Sequence, residues 1–192
     1  MTFNKAEPLA STERLILRSF VPEDFEAYSA YRSQPAIYRF LYSDPPSAQE
    51  MRERFDASLN TRLSEDGDIL RCAVMRSEDD ALLGQVSLKL ASKAALQAEV
   101  GYIFNPAYAG KGYATEAVRA IITLGFDRFG FHRIFARLDT KNTGSDGVVE
   151  RLGLRREAHL IENDRFNGAW GDEYIYAVLR REWALRAPNQ AR

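Results

Sequence analysis

The chain of 192 residues is 45% hydrophobic and 11% aromatic, enough for one domain with a substantial core and too short for two comfortable ones. Its 26 basic and 27 acidic side chains leave a net charge of −1, which excludes a global field for holding nucleic acid or an anionic membrane. A single cysteine, Cys72, and two histidines exclude an internal disulfide, argue against a metal site and fit a reducing cytoplasm.

Met1 to Ala10 has neither a signal-peptide layout nor an apolar span, so the expectation is a non-membrane chain with short loose ends, the tail being Ala187 to Arg192. Arg14 to Arg18 alternates as a first strand, and Pro22-Glu23-Asp24 opens a helix to about Arg32. Ser33 to Pro46, with three prolines among Tyr38, Phe40 and Tyr42, reads as a loop or broken helix that faces substrate. Ser47-Ala48-Gln49-Glu50 is a capping box for a helix to Leu63. Strands follow over Ile69–Arg76, Leu82–Leu90 and Ala98–Phe104 as an antiparallel meander. Cys72 falls in the first of these, as a buried structural thiol.

After the turn Gly110-Lys111-Gly112, Ala114, Ala117, Val118, Ile121, Ile122, Leu124 and Phe126 recur at helical spacing until Gly130. Arg133–Asp139 is a strand, Asn142–Leu152 a short helix closed by Gly153, and Arg156–Phe166 a strand. Asn167-Gly168 then signals a hairpin into Tyr174–Leu179. The order β-α-α-β-β-β-α-β-α-β-β predicts an α/β fold, a mixed and largely antiparallel sheet of about seven strands flanked by helices, in one domain over about residues 11–183.

A glycine turn at a helix start offers bare N–H groups and partial positive charge, which suits a phosphate. A Walker loop does not fit, because Asn105 and Gly112 stand where a glycine and a hydroxyl are needed. Nor does a dinucleotide fingerprint, which wants a small residue where Thr115 stands. From the loop alone, a phosphate site and an ordinary glycine turn remain open.

Three pieces in register narrow the choice: Glu99-Val100-Gly101-Tyr102-Ile103-Phe104-Asn105-Pro106, Gly110 to Ala117, and Asn142-x-x-Ser145 with Glu150-Arg151-Leu152-Gly153-Leu154. Together they resemble the GNAT superfamily of acyl-CoA-dependent N-acetyltransferases, in the branch similar to ribosomal-protein N-terminal (alanine/serine) acetyltransferases. The resemblance runs from about Ser11 to Trp183. It implies acetyl-CoA as co-substrate, its pyrophosphate wrapped by the backbone of Gly110, Lys111, Gly112, Tyr113, Ala114 and Thr115. It also implies a pantetheine arm paired with Ile103 and Phe104 and bound by Asn142, which can cap its helix as well. Glu99 becomes the base and Ser145 the group that donates to the departing sulfur. Ala109, Asp146, Gly147 and Val149 depart from the family pattern, and Val149 stands where many relatives carry a tyrosine acid.

Acceptor chemistry follows from proton energetics. A lysine-like amine of pKa about 10.4 costs roughly 4–5 kcal/mol to neutralise at pH 7, an α-amine near 7.8 only about 1. One base therefore suits a peptide N-terminus, with polyamines and aminoglycosides as the small-amine alternatives. Tyr38, Tyr42 and Trp170, with Phe166, are the expected frame of the acceptor cleft. A non-catalytic acyl-CoA sensor or interaction protein is the rival reading, and a homodimer is left open.

Overall fold

The computed structural model describes residues 7–186; the first six residues and the expected tail Ala187–Arg192 lie outside them. A sheet of eight strands runs in the order β1-β2-β3-β4-β5-β6-β8-β7. The strands are β1 (Ala10–Ser11), β2 (Leu15–Arg18), β3 (Ile69–Arg76), β4 (Leu82–Ser92), β5 (Gln97–Phe104), β6 (Arg133–Asp139), β7 (Arg155–Phe166) and β8 (Ala169–Leu179). All neighbours are antiparallel except β5 and β6. The mixed, largely antiparallel α/β class is as expected. The strand beyond the seven expected is β1, whose two residues are too few to show alternation.

Six helices accompany the sheet: α1 (Phe25–Arg32), α2 (Pro35–Tyr38), α3 (Ala48–Leu59), α4 (Tyr113–Asp127), α5 (Thr143–Arg151) and α6 (Arg180–Ala184). The capping box at α3 forms as expected, Ser47 Oγ accepting from Glu50 N at 3.3 Å and Glu50 Oε2 from Ser47 N at 2.7 Å. The helix stops at Leu59 rather than Leu63. Asn167 and Gly168 both take positive φ, 48° and 81°, as a tight primed turn requires.

Alternation along the strands separates two cores. Leu15, Leu17, Leu70, Cys72, Val86, Leu88, Ala98, Val100, Ile134 and Ala136 face α4, which adds Ala117, Val118, Ile121, Ile122 and Phe126. Burial of Cys72 pushes its thiol up to about 12, which makes it inert as a nucleophile near neutral pH. On the other face Ala73, Met75 and Leu82 meet Phe20, Tyr28, Tyr31, Met51 and Phe55 from α1, α3 and the segment before them. Asp24 fixes the entry to α1, its carboxylate taken by Arg18 Nη1 and Nη2 at 2.7 and 2.8 Å.

One glycine sets the geometry of the edge the site uses. A Cβ at Gly84 would stand 2.4 Å from Ile103 O and 2.7 Å from Phe104 Cα, backbone atoms that cannot swing aside. Gly84→Ala is expected to lower stability by about 1–3 kcal/mol and to displace β5. A lower urea midpoint with unchanged slope, together with weaker coenzyme binding, is the measurement that checks it.

Candidate active site

The ladder between β5 and β6 holds only Gln97↔Arg133, Ala98↔Ile134 and Glu99↔Phe135. Both strands continue, β5 to Phe104 and β6 to Asp139, so their facing edges part after Glu99 into a fork. β5 remains paired to β4 as far as Gly84↔Phe104, and β6 to β8 as far as Asp139↔Glu173. Each fork edge thus presents peptide groups without a strand partner among the described residues, and an extended chain laid there can take them up.

A cleft of about 880 Å³ opens from the fork toward α4 and α5, a size suited to a large small-molecule ligand. Ile103, Phe104, Gly110, Gly112, Tyr113, Ala114, Thr115, Asn142 and Ser145 line it, which brings together most of the expected coenzyme residues. Lys111 does not line it; its carbonyl accepts from Arg14 Nη1 at 3.2 Å, and its ammonium lies 6.0 Å from the Tyr108 ring. Ala36, Ile37, Phe40 and Leu41 close the cleft from α2 and the residues after it.

The phosphate-side geometry follows from two left-handed glycines. Gly110 and Gly112 have φ of 76° and 80°, and Gly112 is the N-cap of α4. A Cβ at Gly110 would meet nothing within 4 Å, and one at Gly112 only Arg14 Nη2 at 3.6 Å. Glycine is therefore required by backbone conformation and by what must approach the loop, not by crowding. The first N–H groups of α4, on Tyr113, Ala114 and Thr115, lack helical acceptors and carry the positive end of the helix.

Arg151 is the cation that sequence reasoning did not assign. It lines the cleft, and its Nε donates to Thr115 Oγ1 at 3.3 Å. The motif from Glu150 to Leu154 contains it, but nothing in the spacing aims its side chain at the loop.

Glu116 clamps the loop from behind. Its carboxylate accepts from Thr12 Oγ1 at 2.5 Å and from Arg14 Nε at 2.7 Å, while the Arg14 guanidinium lies 4.7 Å from the Tyr113 ring. Against the upward pull of burial, the bonds from Thr12 and Arg14 hold the Glu116 carboxyl below the usual carboxylate range. A lowered folded value means the clamp is fully present above the ordinary carboxylate pKa and is lost as pH falls through the folded one. Glu116→Gln is expected to flatten the acid limb of the stability profile below about pH 4, read by thermal unfolding; an unchanged limb would show that the clamp adds nothing.

Asn142 caps α5, its Oδ1 accepting from Ser145 N at 3.1 Å. Ser145 O accepts from the Tyr102 hydroxyl at 2.9 Å, and burial raises that phenol above its ordinary value. Val149 is fully buried in the core.

Glu99 lies at the apex of the fork, half-buried, on the face away from α4. It does not line the large cleft. Beyond it on that face, Arg137 Nη2 meets the buried Glu173 carboxylate at 2.6 Å. Tyr42 donates to Asp139 Oδ2 at 2.6 Å with a left-handed φ of 47°. That hydroxyl stands where a Cβ on Gly171 would be, 2.1 Å away, so Tyr42 reaches the acceptor side as a latch between loop and sheet. Tyr38 is buried outside the cleft lining, and its hydroxyl donates to Arg32 O at 2.7 Å. Trp170 is exposed on the hairpin with Arg165 5.2 Å from its ring, outside the cleft lining.

A model of the acetyltransferase (GNAT) domain matches residues 14–155. The chain belongs to the GNAT family. Its relatives include the N-acetyltransferase YnaD of Bacillus subtilis, 31% identical over 174 residues that cover 90% of this chain and 98% of YnaD. A crystal structure of a GNAT-family acetyltransferase from Bacillus anthracis superposes with a TM-score of 0.80 at 29% identity, covering 90% of this chain and 99% of that one. A spermidine N-acetyltransferase from Vibrio cholerae, solved with CoA and spermine, shares the fold with a TM-score of 0.77 at 21% identity, over 90% and 99% of the two chains. As a GNAT member the protein is an acetyl-CoA-dependent N-acetyltransferase. Among the described residues no helix is long and apolar enough to cross a membrane, and no group of three or more His, Cys, Asp or Glu side chains is placed to hold a metal.

Proposed function

We propose that this GNAT enzyme transfers acetyl from acetyl-CoA to the α-amine of a peptide or protein N-terminus, by direct attack within a single domain of about residues 11–183 in the cytoplasm. The observation that carries the reading is the fork that parts at Glu99, with the coenzyme-sized cleft on one side and a polar face on the other. Glu99, directly or through a water, takes the proton of the bound ammonium and passes it to solvent; the neutral amine then attacks the thioester carbonyl carbon from the Glu99 side. An unpaired β5 amide near Ile103 and Phe104 stabilises the oxyanion. Collapse breaks the carbon–sulfur bond. The coenzyme, a thiol of pKa about 8.5, leaves as a tolerable anion held by the Ser145 hydroxyl and takes up the proton that the new amide nitrogen releases.

Polyamines form the second acceptor class, supported by the likeness to the spermidine N-acetyltransferase solved with spermine. Thiol release from acetyl-CoA, measured against free N-terminal peptides, spermidine and an aminoglycoside, separates the classes. The proposal predicts peptide-dependent release and an N-terminally acetylated product; release with spermidine alone would overturn it.

A further inference from the structure

On the acceptor face, next to the fork, two guanidinium groups have no anionic partner among the described residues. Arg32, at the end of α1, is 7% exposed, and its Nε and Nη1 are buried without a hydrogen-bond partner among the described residues. Its company is aromatic, the Tyr28 and Tyr38 rings at 5.8 and 5.6 Å. Arg71, half-buried on β3, makes no bond to a carboxylate among the described residues. Burial, then repulsion from Arg32, lowers its pKa. Asp24 does not neutralise the pair, since Arg18 holds both of its oxygens. The Tyr31 hydroxyl, also buried without a partner, adds an unused donor. Buried polar and charged groups call for partners, and an anion makes the strongest hydrogen bonds a guanidinium can form.

The sheet register connects these side chains to the chemistry. Arg71 pairs with Ser87, and Ser87 with Gly101. Gly101 lies two residues beyond Glu99 on the same face of β5. Only a serine and a glycine separate the guanidiniums from the fork, and the pair is tightly apposed: a Cβ at Gly101 would stand 3.0 Å from Ser87 Oγ. Two strand spacings make this low floor about 10 Å wide, the reach of about three extended residues.

We infer that Arg32 and Arg71, with the Tyr31 hydroxyl, form a carboxylate subsite, and that the acceptor is a peptide carrying a carboxylate about 10 Å from its N-terminal nitrogen. The inference rests on the peptide α-amine reading above. It also places two cations where a polyamine would lie, which makes spermidine a poor acceptor.

The test pairs acidic peptides with neutral twins: Ala-Ala-Glu-Ala amide against Ala-Ala-Gln-Ala amide, and tri-alanine acid against its amide. Initial rates of thiol release and calorimetric titration onto the CoA complex are measured for each. The acidic members are expected to show KM and Kd lower by about tenfold or more, and Arg71→Gln to bring both ratios to about one. Arg32→Met is expected to remove the same preference while raising the thermal midpoint, because an unpaired buried charge is gone; Arg71→Gln stands alone should that variant fail to fold. Peptides acetylated with equal KM for acid and amide would overturn the subsite and leave the peptide reading intact. Acetylation of spermidine alone would overturn both. Were no acceptor turned over, the titrations would decide: acid-selective heat supports the subsite, and its absence overturns it.

Discussion

Gly112→Val is expected to remove most of the coenzyme affinity while the chain stays folded. Gly112 caps α4 at φ 80°, a conformation that costs an L residue about 1–2 kcal/mol and a β-branched one more. Two consequences follow from one substitution. Relaxing the strain turns the loop, so the N–H groups of Tyr113, Ala114 and Thr115 no longer converge. The isopropyl group also occupies open space beside the cleft, since among the described residues outside its own stretch of chain only Arg14 Nη2, at 3.6 Å, comes near the new Cβ. Loss of several charge-assisted amide bonds, each about 1.5–3 kcal/mol, amounts to a Kd raised by about 100-fold or more. Calorimetric titration with acetyl-CoA measures it, alongside a thermal midpoint that separates lost binding from lost folding. An unchanged Kd would place the phosphates elsewhere.

Glu99→Gln is expected to lower kcat/KM by about 100-fold or more near pH 7, the low end of what a positioned base supplies. The amide keeps the size of the side chain but cannot accept the proton. Below about pH 8 an α-amine arrives largely protonated, so the deficit is largest there and narrows as pH rises and more amine reaches the site neutral. Rates for variant and native enzyme from about pH 6.5 to 9.5 give the ratio. A ratio that stays flat would remove Glu99 from the role of base, whatever its absolute size.

Helices and turns with strong local chemistry are legible in the amino-acid order itself. The apolar stripe of α4, the Ser47 capping box, the Asn142 cap and the Asn167-Gly168 hairpin each depend on residues within a few positions of one another. Pairing is not legible in the same way. Alternation tells which face a β5 residue occupies, but nothing in Val100 to Phe104 says that the ladder to β6 ends at Glu99↔Phe135. That end creates the fork. An aromatic in a proline-rich segment reads as a surface feature, but the short α2 turns Tyr38 inward onto Arg32 O. Arg32 and Arg71 are hidden for a related reason. An arginine ending an amphipathic helix, or alternating on a strand, reads as solvated, and only the packing of α1 against the sheet buries Arg32 and leaves Arg71 half-buried on the same face.

In the proposed reaction, amides at the start of α4 hold the diphosphate and thereby lay the thioester in the fork. Titration of the full chain with CoA and, in parallel, with pantetheine, which keeps the arm and lacks every phosphate, tests it most directly. The account predicts that CoA binds about 100-fold or more tightly than pantetheine, a gap of about 2.7 kcal/mol or more. Equal affinities would contradict it, because the arm alone would then carry the binding and the glycine loop would hold nothing.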